Sequence, residues 1–379
     1  MYSVDLTAAA LHYSALYLSL VVISGLFLAF GKMEGKKKQY YIFVVSAILF
    51  VLMAFRDREM GSDTSGYISM FNRVASYSNP FNYIRNSITE GGFLLYCWSL
   101  SRIIRDARIL FVVSAAFITC SVGRFARKYV DNVGLFYCLL VGMMHFDFLL
   151  SGLRQSMAIS ILLFAFEYLL KRKPLPYYAL CIVAILFHNS ALIFLLLYPL
   201  FSMKILAQNR SLLSNLVLFA AAFLSGFFMD DILLLALRWF PKYYYYAGSV
   251  LVDGEPRLAV FLKILVFALL LAVPYFVRKY PADHLVRYHA GRQMSLLNLI
   301  VIVIASNAVA LMRFSSYFCM YAMMHYCNEV GRMRSRRNDK TWMTLFTLGA
   351  FYVYGLVLVV LKTPEWQTTY PIQLSLWLS

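Results

Sequence analysis

Apolar runs of about 20 residues, the length a helix needs to cross a bilayer, recur from one end of this chain to the other. No polar stretch between them is long enough for a soluble domain. In hydrocarbon every backbone N–H and C=O must be satisfied within its own segment, so such runs fold as helices. Of the 379 residues 61% are hydrophobic, and the mean hydropathy is +0.68, far above an ordinary soluble domain. The expected fold is an all-α polytopic integral membrane protein in which residues 1–379 form a single transmembrane domain.

Spans are expected at 12–30, 39–54, 107–122, 132–150, 154–170, 176–187, 189–201, 212–229, 258–277, 294–312, 314–330 and 341–361. That makes about twelve transmembrane helices, within a range of roughly 11 to 14, since ends read from sequence shift by several residues. With the N-terminus outside, the inner loops hold 21 of the 35 basic residues, clustered as at Lys36–Lys38, Lys171–Lys173 and Arg332–Lys340. The outer segments hold 13, mostly single arginines, and Lys263 lies within a span. The bias follows the positive-inside rule. Residues 91–105 are apolar but short, and counting them as a span would turn the basic clusters outward. They read instead as a re-entrant or interfacial helix inside a periplasmic loop at 55–106, with a second outer loop at 230–257. Residues 176–201 form either one tilted helix or two short ones meeting at His188.

The formal charge of +17 sits in juxtamembrane clusters, which points to membrane lipids and not to nucleic acid. Met1 to Leu11 has no Lys or Arg ahead of the first apolar run, so the charged start of a cleavable signal is missing and the first helix is expected to stay. The six cysteines, Cys97, Cys120, Cys138, Cys181, Cys319 and Cys327, lie in apolar surroundings without a CxxC pair, and read as small core residues.

Polar residues that interrupt apolar runs carry the functional signal, because a charge in hydrocarbon costs several kcal/mol unless it is paired or faces a cavity. On this topology Arg56, Arg154, His188 and Arg313 fall at outer helix ends or breaks. The stretch FRDREMGSDTSGY, residues 55–67, offers Arg56 and Arg58 to an anion, and Asp63 and Thr64 to hydroxyls, with Gly61 and Gly66 for tight turns; a capped interfacial turn explains the same residues. Arg154, in SGLRQS, begins a helix whose N–H groups also point outward, a place suited to phosphate, although snorkelling to headgroups would keep it there too. Arg313, in ALMRFSSYF, has an apolar run on each side. His188, in LFHNSAL, is the best placed of the six histidines for proton transfer, against a reading as a hydrogen-bonded core histidine. His145 with Asp147 is a weaker pair. Glu90, in TEGGF, reads equally as a catalytic carboxylate or a helix cap. Trp239 and Tyr243–Tyr246 suit sugar stacking, though an interfacial aromatic belt is the plainer reading. No spacing among the histidines resembles a metal site.

Four of these stretches, in order, resemble the Wzy-type O-antigen and exopolysaccharide polymerases, in the EpsG-like branch: Phe55 and Arg56 with Gly61–Tyr67, Gly152–Ala158, Phe187–Leu192 and Arg313–Phe318. The resemblance implies a bacterial inner-membrane enzyme of the lipid-dependent, GT-C-like glycosyltransferase architecture, its active site facing the periplasm. Such an enzyme moves a growing glycan from undecaprenyl pyrophosphate to the non-reducing end of an incoming lipid-linked repeat, and works with a chain-length-determining co-polymerase. Carried onto this sequence, Arg154 and Arg313 hold the pyrophosphate and Arg56 supports it or positions sugar. His188 is the general base, with Glu90 or Asp63 as substitutes. Arg58, Thr64, Tyr67, Gln155 and Tyr317 complete the substrate-binding set. No cofactor is called for, and no metal if arginines neutralise the leaving group. An O-antigen ligase is the nearest rival, but the outer loop at 230–257 is short for one. A flippase or transporter would show two related halves and more ionisable groups at mid-membrane, and an acyltransferase would not need outward arginines.

Overall fold

The computed structural model describes this chain over residues 5–29, 33–202, 258–276, 285–305, 312–332, 337–362 and 369–375. Helix α1 (Leu6–Ala29) opens on Asp5, whose carboxylate accepts the N–H groups of Thr7 and Ala8, satisfying two of the donors a helix start leaves open. After α2 (Gly35–Ala54) come three short helices, α3 (Thr64–Ala75), α4 (Pro80–Ile84) and α5 (Gly91–Ile103). Asn79 caps α4 with Pro80 at its first position, the arrangement a proline without an N–H favours. Then follow α6 (Arg108–Tyr129), α7 (Val133–Gly142), α8 (His145–Ser151), α9 (Leu153–Leu170) and α10 (Pro174–Phe187). A 3₁₀ helix at Asn189–Leu196 runs into α11 (Leu197–Ser202), and later come α12 (Leu258–Phe276), α13 (Leu285–Ile304), α14 (Met312–Arg332) and α15 (Arg337–Lys362). Among the described residues the one β-type pairing is a bridge between Arg56 and Leu374.

Contacts divide the chain into two units, Met1–Leu192 with Val330–Ser379, and Ile193–Glu329. In the first, α6 packs between α2 and α9, α9 lies against α10, and α1 is flanked by α7 and α15. Small residues set these approaches: a Cβ on Gly123 of α6 would stand 3.1 Å from Ser46 Oγ of α2, close packing of the kind that drives helix association in lipid. Lys38 donates to the carbonyls of Arg127 and Val130, tying the start of α2 to the end of α6 as a cation at a helix C-terminus does. Large apolar side chains also cover the outside, among them Leu11, Val22, Phe43 and Phe346. A surface as apolar as the interior is what lipid, rather than water, selects. In the second unit α12 packs on α13, and Phe194 stacks on Phe318 of α14.

Five described helices are long and apolar enough to cross a membrane, Leu6–Ala29, Gly35–Ala54, Arg108–Tyr129, Leu153–Leu170 and Asp339–Leu361, and a bent pair makes a sixth. That pair corrects the expected single span at 132–150: Val133–Gly142 and His145–Ser151 meet at 65°. Met144 takes the left-handed conformation between them, at φ 56°. Beyond the turn lie His145 and Asp147, both buried, so the break carries polar groups inside the unit that a continuous apolar helix would have no way to place there. The stretch 176–201 is two helices separated at His188. Helix α5, at 13 residues, reaches only about 20 Å. Cys120 is exposed on α6, so the core reading of the cysteines holds for the other five and not for it. The expected span at 212–229, the loop at 230–257, Trp239 and Tyr243–Tyr246 lie outside the described residues.

Candidate functional site

Three sequence-distant motifs meet at one ion pair. Arg154 stands in the first turn of α9, and its Nη1 donates to Glu90 Oε2 at 2.6 Å. Glu90 caps α5 without bonding that helix's N–H groups; its second oxygen, Oε1, accepts the N–H of Asn189 at 3.1 Å. Next to Asn189, His188 ends α10 with an extended backbone, and its Nδ1 lies 2.6 Å from Ser190 Oγ and accepts the Ser190 N–H at 3.3 Å. Tyr67 of α3 closes the group from the fourth side, its hydroxyl accepting the Arg154 N–H at 3.5 Å while its ring rests on Phe93 of α5.

The carboxylate side chain of Glu90 is 7% exposed and the Arg154 side chain 30%, so the cation is the part of the pair that reaches outward. Burial pushes the Glu90 carboxyl up, but the positive charge of Arg154, then that of His188, outweighs it and holds the group below the ordinary carboxylate range. Glu90 is therefore ionised at neutral pH and pairs with Arg154 as a full charge. Close approach makes the cluster: a Cβ on Gly92 would fall 2.6 Å from Leu186 Cβ and 2.7 Å from the Leu186 carbonyl oxygen. Only a glycine lets α5 lie this near the end of α10, which brings Glu90 to Asn189.

Behind the pair, the turn after α2 packs on the junction of α8 and α9. Gly61 sits at φ +89°, with Leu150 and Ser151 side chains 3.1 and 3.2 Å from where its Cβ would be, so the position excludes other residues by conformation and by space. Arg56 is 1% exposed. Its Nη1 donates to the Leu150 carbonyl at 2.5 Å and its guanidinium lies 4.2 Å over the Phe111 ring, a cation–π contact. Leu150 belongs to the last turn of α8, four residues before Arg154, so Arg56 holds the turn from which Arg154 projects.

Other residues singled out by sequence fall as follows. Thr64 is buried with its hydroxyl bonded to the Met60 carbonyl at 2.6 Å, while Asp63 and Arg58 are exposed on the same turn. Gln155 is buried beside Arg154 on α9. Arg313 and Tyr317 belong to the second unit, Arg313 exposed in the first turn of α14 and Tyr317 buried against Phe194. There Lys263, the basic residue inside a span, donates to Ser315 Oγ at 2.8 Å. Asn189 and Ser190 were not among the expected site residues; their one signal is that they follow His188 directly, with a hydroxyl two residues on, the spacing of a side-chain cap.

A cation beside a helix N-terminus, braced by a carboxylate and faced by an imidazole and a phenol, can hold a phosphate and move a proton. No curated protein and no solved structure matches the chain. The family model for the EpsG family matches residues 39–374, a stretch that contains all of these side chains, and the chain belongs to the EpsG family.

Proposed function

We propose that this protein is a Wzy-type exopolysaccharide polymerase. It transfers a growing glycan from undecaprenyl pyrophosphate to an incoming lipid-linked repeat at the periplasmic face of the bacterial inner membrane, on a lipid-dependent glycosyltransferase architecture of about twelve spans. The observation that carries this reading is the Glu90–Arg154 pair with His188 and Tyr67 around it. The leaving group is an anionic pyrophosphate, and the least catalysis requires is a fixed cation where negative charge develops. Arg154 meets that need, with its charge held in place by Glu90 before substrate arrives. Arg56 acts through the turn it holds, and Asp63, Arg58 and Gln155 border the sugar path. Membrane lipids and a chain-length-determining co-polymerase are the further partners.

The test is polymer length in cells that lack the native gene. Arg154→Ala should leave single-repeat product, a loss of about 100-fold or more in transfer, while the protein persists in the membrane by immunoblot. Long chains from that variant would sink the assignment.

A further inference from the structure

Helix α8 takes no direction from its neighbours along the chain. It is seven residues long, with the left-handed Met144 before it and Gly152 after it, so the residues packed on it decide how it lies. Two of those holds come from the far end of the sequence, from residues 369–375. Tyr370 is 2% exposed. Its ring meets Tyr13 of α1 edge-on at 5.7 Å, and its hydroxyl faces Asp147 in the first turn of α8. Three residues on, the segment crosses the turn after α2. Asp57 N–H donates to the Gln373 carbonyl and Ser375 N–H to the Phe55 carbonyl, each at 2.9 Å, with Arg56 and Leu374 as the antiparallel pair between the two bonds. Arg56, its backbone flanked by these bonds, sends its side chain to the Leu150 carbonyl in the last turn of α8. The path closes on itself: one segment reaches the start of α8 through Tyr370 and its end through Arg56, all within the first unit.

We propose that residues 369–375 are a clasp that positions Arg154 for the transfer. The assignment rests on the polymerase reading. Helix α8 runs through Gly152 into α9, and Leu150 stands four residues before Arg154, so a swing of α8 about its two breaks carries the guanidinium with it. A leaving pyrophosphate needs that cation at a fixed point, and a misplacement of about 1 Å is enough to cost about 100-fold. Glu90 holds the tip of Arg154; the clasp holds the backbone from which it projects. Tyr370 and the backbone groups of Gln373 and Ser375 are therefore positioning groups that act through α8. Because the crossing bonds are between backbone groups, the side chains of Gln373 and Leu374 are left exposed. Thr369 and Tyr370, both buried, are the anchor.

The test uses the purified full-length protein and two readouts. The first, amide hydrogen exchange in detergent, needs no turnover. Tyr370→Ala, and separately Ser375→Pro, which removes one of the two crossing bonds, should speed exchange over residues 145–152 at least about ten-fold while α6 stays as in wild type. Tyr370→Phe, which keeps the anchoring ring, should exchange like wild type. Equal acceleration in α6 and α8, or none in α8, would overturn the clasp. The second readout is polymer formed from an undecaprenyl-pyrophosphate-linked repeat, in a double-mutant cycle. Ser375→Pro should slow transfer about ten-fold on its own. In an Arg154→Lys background it should cost less than about two-fold more, because changes that act through one group do not add. Equal losses in both backgrounds would make the segment a strut for the fold and overturn its positioning role. Wild-type protein that forms no polymer would instead reject the polymerase reading, and the exchange rates would still decide whether the segment holds α8.

Discussion

Gly92 is where a single hydrogen atom decides the site. Its missing Cβ would lie within 2.7 Å of the Leu186 carbonyl oxygen, a backbone atom with no rotamer to escape into, and Leu186 is two residues from His188. Gly92→Ala should therefore push the end of α10 away from Glu90, costing about 1–3 kcal/mol of stability as overpacking does and lowering polymer yield. Gly25 on α1, with nothing within 4 Å of its Cβ position, is the matched control: Gly25→Ala should be neutral or stabilise the helix by about 0.5–1 kcal/mol. Thermal unfolding in detergent reads both, and equal midpoints for the two variants would contradict the packing argument. At this scale the sequence identified Arg154, Glu90, His188 and Tyr67 as polar residues near apolar runs, because charge beside hydrocarbon is conspicuous. It could not pair them. Arg154 and Glu90 are 64 residues apart, and nothing local says that a helix-capping carboxylate faces an arginine instead of its own backbone.

Breaks between helices matter more here than the helices themselves, and they differ in how openly the sequence announces them. The one at His188 is visible, since FHNSAL interrupts an apolar stretch with three polar residues. The one between α8 and α9 is marked by Ser151 and Gly152 before Arg154. The bend between α7 and α8 is hidden: residues 132–150 hold no proline, and the left-handed position falls on Met144 instead of a glycine. An L-residue pays about 1 kcal/mol there, offset by the tertiary packing that Gly142 permits against Tyr17 and the Phe351 backbone. Met144 is buried, so Met144→Gly and Met144→Ala both lose its packing, and the backbone strain separates them: the glycine variant should be the more stable of the two by about 1 kcal/mol. Urea or thermal unfolding of the purified variants checks the order, and an alanine variant as stable as the glycine one would mean the bend is relaxed.

On the scale of the whole molecule, α9 joins the proposed chemistry to the basic collar. Arg154 stands at its first turn, and near its other end Glu167 is gripped by Arg124, Lys128 and Lys171 at 2.5, 2.6 and 2.7 Å. Eighteen residues make a helix of about 27 Å, close to the thickness of the hydrocarbon core, so on the proposed topology the two polar ends fall on opposite faces of the membrane. The tie from the chain's far end reinforces the Arg154 side: Asp57 donates to Gln373 and Ser375 to Phe55, on either side of Arg56. No sequence pattern discloses a pairing over that separation. Opposite faces give the topology a direct test. Ser78, exposed between α3 and α4, belongs with the Arg154 end, and Lys173, exposed after α9, with the Glu167 end. The proposed orientation, from the positive-inside bias, has the Lys173 end facing the cytoplasm. In a background with the native cysteines replaced, a membrane-impermeant maleimide should label Ser78→Cys in cells with a permeabilised outer envelope, and Lys173→Cys only after the inner membrane is broken. The reverse pattern would turn the Glu90–Arg154 cluster toward the cytoplasm, where a periplasmic polymerase could not use it.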